Sequence, residues 1–101
     1  MIEKIVGETV KIERTVLNSL GENANLTGAT AKFAMHSRFG NVEIEKTCTI
    51  VGSVISVTLT PTDTAIAGTY DYEFKVKLNG EYDSVEQGEL VLKKTFIPST
   101  F

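Results

Sequence analysis

Residues 69 to 78 constrain this chain more than any other stretch. Tyr70, Tyr72, Phe74, Val76 and Leu78 alternate without a break against Thr69, Asp71, Glu73, Lys75 and Lys77. One face is wholly apolar or aromatic and the other wholly polar. That period of two predicts a strand in a sheet with one wet side.

The same periodicity runs through the rest of the chain, and no ten-residue stretch has helical spacing. "GETVKIERTV" sets Val10, Ile12 and Val16 against Thr9, Lys11 and Glu13. "LNSLGENANLTG" concentrates Asn and Gly and reads as a flexible loop. In "ATAKFAMHS", Ala31, Phe33 and Met35 point in while Lys32 and His36 point out. After the turn "RFGN", "VEIEKTCTIV" reads as one strand with Val42, Ile44, Cys48 and Ile50 on one side, forming a hairpin with its predecessor. "VGS" then leads into "VISVTLT", whose Ile55, Val57 and Leu59 face the core.

Between residues 61 and 68 the pattern breaks. Pro61 stops a strand, Thr62, Asp63 and Thr64 favour a turn, and Gly68 lets the backbone swing into the long strand. Tyr70, two residues on, is placed for a tyrosine corner, its hydroxyl bonding back to upstream backbone. Asn79-Gly80 marks a hairpin turn. A two-residue loop there would set Glu81 and Asp83 on the buried face. A three-residue loop pairing Leu78 with Tyr82 is therefore expected, with Gly88 marking a second bulge before "ELVLKKT". The sum is an all-β sandwich of about seven antiparallel strands over residues 1–94, with 95–101 as a tail or the start of a linker.

The chain has 101 residues, enough for one domain with a small core. A net charge of -3 argues against a nucleic-acid partner. No apolar run approaches a membrane span. The start "MIEKIVGETVK" lacks the pattern of a signal peptide, which places synthesis and folding in a cytoplasm. The single cysteine, Cys48, leaves no internal disulfide and no metal-ligand spacing, so no metal or cofactor is expected.

Each residue type capable of chemistry has a plainer reading. His36, the lone histidine, lacks a nucleophile and an orienting group in any motif, and reads as a solvated surface residue. Cys48, at a core-facing position, reads as a small hydrophobe. Glu43 with Glu45, and Asp71 with Glu73, could be paired as in glycoside hydrolysis. Their i, i+2 spacing on outer faces is equally what solubility requires, with Lys32, Lys46, Lys75 and Lys77 as cross-strand partners. "NLT" at 25–27 matches a glycosylation sequon without a secretion signal, and Lys93 and Lys94 are too few for a phosphate-binding stripe. Tyr70, Tyr72 and Phe74 fit a core, while Phe39 and Tyr82, near turns, are the candidates for exposed aromatic contact. No catalytic residue is assigned, and the chain is read as a non-enzyme.

Taken together and in order, "GETVKI", "NLTGATAKFAM", "EKTCTIV", "LTPTDTAIAGTYDYEFKV" and "GELVLKK" resemble the immunoglobulin-like N-terminal domain of phage baseplate upper proteins, from siphophages and prophages of Gram-positive bacteria. The likeness covers about residues 5 to 94. It implies an immunoglobulin-like sandwich and a virion structural role in the tail or baseplate, assembled in the host cytoplasm. The implied partners are other phage tail or baseplate proteins, in an oligomeric assembly, met through protein–protein contacts. The family brings no catalytic residues. Ending at Phe101, the sequence is either a free-standing tail subunit or the docking module of something larger. The apolar "TFIPSTF", with Phe96, Ile97 and Phe101, is the expected protein interface. The alternative is a carbohydrate-binding sandwich that recognises host cell-wall polysaccharide.

Overall fold

The computed structural model describes residues 1–95. Eight strands follow in order: β1 Ile2–Ile5, β2 Val10–Thr15, β3 Thr30–Ser37, β4 Glu43–Thr47, β5 Thr49–Val51, β6 Val54–Leu59, β7 Gly68–Leu78 and β8 Glu81–Lys93. They form two layers, a five-stranded sheet ordered β1-β8-β7-β3-β4 and a three-stranded sheet ordered β2-β6-β5. All pairs are antiparallel except β1 with β8, which is parallel.

The alternating residues of both sheets meet in one core. Phe33, Met35, Tyr70, Tyr72, Phe74 and Leu90 come from the large sheet, and Val10, Ile12, Ile55, Val57 and Leu59 from the small one. Phe33 lies 4.9 Å from Phe74, tilted, and 5.9 Å from Tyr72, stacked. The inward side chains expected in β2, β3, β6 and β7 are in the core, except Leu78 at the end of β7, because each strand has one apolar face to bury.

Several expectations need correction. Eight strands form where about seven were expected. β1 adds itself in parallel to β8; its "IEKI" has only Ile2 half-buried and no alternation to announce it. The expected single strand over 42–51 divides at Cys48. β4 stays in the large sheet and β5 crosses to the small one, while the Cys48 amide between them donates to the Ala31 carbonyl at 2.8 Å. The loop before β3 is tied down: Asn18 Oδ1 accepts from the amides of Leu20 and Glu22, Ser53 Oγ donates to the Ala24 carbonyl, and Leu26 is buried in the core.

The β7–β8 register also differs. Leu78 faces Glu81 across a two-residue turn, with Asn79 at φ 52° and Gly80 at φ 80°, the positive pair that a type I′ turn needs. The extra residue is Val85, bulged between the Lys75↔Ser84 and Phe74↔Glu86 pairs; Gly88 lies in regular register opposite Tyr72. A two-residue turn does put Glu81 and Asp83 on the inward-facing side, but both are exposed at this end of the strand. The objection to that turn therefore carries no weight.

The corner between β6 and β7 forms as expected. Asp63 Oδ2 accepts from the Thr60 amide at 2.8 Å, and the Tyr70 hydroxyl donates to the Ile66 carbonyl at 2.7 Å. Thr64, fully buried, donates through Oγ1 to the Glu8 carbonyl at 2.7 Å and pins the β1–β2 link to the corner.

Candidate functional site

The outer face of the large sheet gathers the residues with chemical potential. Cross-strand partners share a face, so His36 of β3 stands between Glu43 of β4 and Asp71 of β7. One row further along, Ala34 stands between Glu45 and Glu73. Ala34 is too small to fill its place. A shallow depression of about 570 Å³ results, walled by His36, Arg38, Asp71 and Glu73.

Its carboxylates are held by neighbours. Arg38 Nη2 reaches Asp71 Oδ1 at 2.6 Å and Nη1 reaches Glu89 Oε2 at 3.1 Å. Glu73 Oε2 accepts from Gln87 Nε2 at 2.7 Å and from Ser84 Oγ at 2.8 Å. The Arg38 hydrogen bond holds the Asp71 carboxyl below its usual range, and Gln87 and Ser84 do the same for Glu73. A general acid needs the opposite shift, a carboxyl kept protonated near neutral pH. Both residues of the Asp71/Glu73 pair are tuned to remain charged. Of the second pair, Glu45 is bonded to Lys32 Nζ at 3.0 Å.

The other candidates fall where the alternation puts them. His36 is exposed. Cys48 is buried, and that burial pushes its thiol up to about 11, away from thiolate reactivity. Phe96, Ile97 and Phe101 lie outside the described residues. Phe39 is 92% exposed and Tyr82 64%, as their positions near turns suggest.

Two clusters escaped the sequence reading. The first lies between the sheets, where Arg14 continues the inward parity of Val10 and Ile12. Its Nε donates to Glu86 Oε1 at 2.9 Å, and the Tyr72 hydroxyl donates to the other Glu86 oxygen. An arginine at an inward position was the available signal, but Glu86 becomes its partner only through the β7–β8 register. The second occupies the far end of the outer face. Lys32 and Lys75 oppose each other directly, and the ammonium of Lys77 lies 5.2 Å from the Tyr82 ring centroid.

The chain matches no family model and no curated protein.

Proposed function

We propose that this chain is a non-catalytic structural module of a phage or prophage tail or baseplate, docking by protein–protein contacts onto the tail-tip core or an adhesion device. The phage assignment rests on the motif likeness. The immunoglobulin-like reading is supported by the five-plus-three layering, the parallel β1–β8 pair and the Tyr70 corner. In this fold "LTGAT" opens β3, and "DTAIAGTY" builds the corner into β7. Motifs that shape a scaffold fit a structural protein better than a catalyst.

The observation that carries the docking role is the apolar end of the sandwich. Phe39 is 92% and Ile66 57% exposed. Both flank the start of β7: the Arg38 amide, beside Phe39, donates to the Thr69 carbonyl, and Ile66 lies in the loop leading to Gly68. Gly68 in turn pairs with Leu92, so the last residues of β8 reach this same end. Large apolar side chains gathered at one end of a small domain mark a contact surface.

Immunogold labelling of particles released by the strain that encodes the chain tests the role. Label at the tail tip is expected, and purified particles lacking the chain refute it. Removing residues 95–101 should weaken co-assembly with tail proteins and leave the fold intact. The alternative, polysaccharide recognition, is favoured by one observation, the exposed Tyr82 beside its lysines.

A further inference from the structure

The cationic end of the large sheet's outer face is built against the ordinary economy of a sheet. Lys32 and Lys75 are directly opposed on β3 and β7, where like charges cost stability. Lys77 follows two residues on, opposite Thr30. Lys32 has Glu45 as a partner, whereas Lys75 and Lys77 have no carboxylate in ion-pair range among the described residues. The chain as a whole is acidic, at -3. Two ammonium groups outside any close ion pair, Lys75 acting on Glu73 only at longer range and Lys77 lying over the Tyr82 ring, thus stand together on one sheet face of an anionic chain.

The Val85 bulge adds an independent observation. Continued without it, the ladder from Phe74↔Glu86 would set Asp83 opposite Lys77, giving a cross-strand ion pair. The bulge shifts the register by one, so Tyr82 faces Lys77 and Asp83 is turned to the other side. Bulges re-aim side chains in this way. The result is a concavity of about 330 Å³ lined by Thr30, Lys32, Lys75, Lys77 and Tyr82. That is the low end of the size of small-molecule sites.

We infer that this concavity binds an anionic saccharide, a sugar unit bearing a carboxylate or phosphate. Lys75 and Lys77 pair with the acid group, Thr30 offers a hydroxyl, and the exposed Tyr82 ring packs on the apolar face of the sugar. An acidic peptide strand fits less well, because it gains affinity from main-chain bonds at a sheet edge. The patch lies on β3, β7 and β8, inside the edges formed by β1 and β4. This inference develops the polysaccharide alternative and stands independently of the tail-docking role.

Amide shifts of the full chain, followed by NMR during titration, provide the test. The probes are tri-galacturonate, glucose 6-phosphate, neutral maltotriose, tri-glutamate and inorganic phosphate. Saturable shifts centred on residues 30, 32, 75, 77 and 82 are expected with one or both acidic sugars, and the carboxylate and phosphate probes separate the two acid types. Lys75→Ala/Lys77→Ala should weaken binding at least about tenfold, and Tyr82→Ala should weaken it while leaving inorganic phosphate unaffected. Raising the salt should weaken it as well. No saturable shift with either acidic sugar overturns the inference. So does equal binding of maltotriose, which would remove the lysines' role, or equal binding of tri-glutamate, which would leave bare charge attraction. Loss of this binding would leave the tail-tip labelling unaffected, so the two readings fail separately.

Discussion

Replacing Gly88 by alanine should destabilise the domain by about 1.5 kcal/mol, although alanine ordinarily suits a strand better than glycine. Gly88 lies in regular register opposite Tyr72. A Cβ built there meets the Tyr72 hydroxyl at 2.8 Å and two ring carbons, Cε2 and Cζ, at 2.9 Å. The ring has little freedom to yield, since it is stacked on Phe33, edge-on to Phe74 and bonded through its hydroxyl to Glu86. Overpacking of a filled site costs roughly 1–3 kcal/mol. If the ring rotates instead, it gives up a hydrogen bond to a charged group, about 1.5–3 kcal/mol. Against either stands a gain of about 0.5–1 kcal/mol from exchanging glycine for alanine in a strand. The net loss corresponds to a melting temperature lower by about 10 °C in a domain of this size. Urea unfolding of Gly88→Ala, Tyr72→Leu and the double variant measures it. With the ring removed, the alanine should cost little, giving a coupling of at least about 1 kcal/mol. Equal losses in both backgrounds would show that the ring is not what excludes a side chain at 88.

Three further predictions follow from the same packing. Tyr70→Phe should fold yet lose roughly 0.5–1.5 kcal/mol, because the Ile66 carbonyl loses its donor; an unchanged melting midpoint would count against the corner. Glu86 is held below the usual carboxylate range mainly by its hydrogen bond from Arg14, with burial opposing and Tyr72 assisting. A lowered folded pKa contributes stability above the unfolded value of about 4.3, and the contribution disappears as pH falls through the folded value. Urea midpoints at neutral pH and near pH 3 should therefore differ less for Glu86→Gln than for the parent, and equal differences would remove Glu86 from the acid response. Cys48, buried with its thiol near 11, should react with an aromatic disulfide reagent at pH 8 only after denaturation; rapid labelling of the folded chain would contradict its burial.

The candidate site was only partly legible in the sequence. Asp71 and Glu73 could be placed on an outer face by parity alone, because each alternates with a core aromatic. Their clamps could not, since Arg38 lies in a turn and reaches Asp71 and Glu89 only after β3, β7 and β8 align. Nor could the opposition of Lys32 to Lys75, which depends on a pairing between strands more than 30 residues apart in sequence.

Period-two patterning, a local property, determines which side of its own strand a residue occupies. That is why Phe33, Ile55, Tyr70 and Phe74 could be assigned to a core, and why the proline, turn-formers and tyrosine of residues 61–70 could be read as a corner. Three features required the assembled layers. The break at Cys48 sends one apparent strand into two sheets. The addition of β1 to β8 depends on an open edge that exists only once β8 is in place. The bulge at Val85 absorbs a register shift where the turn and Gly88 had both been available. Each is a choice among partners that are equivalent locally, and long-range pairing and burial make the selection. That choice of register, more than any motif, brings Glu86 to Arg14 and Tyr82 to the lysines.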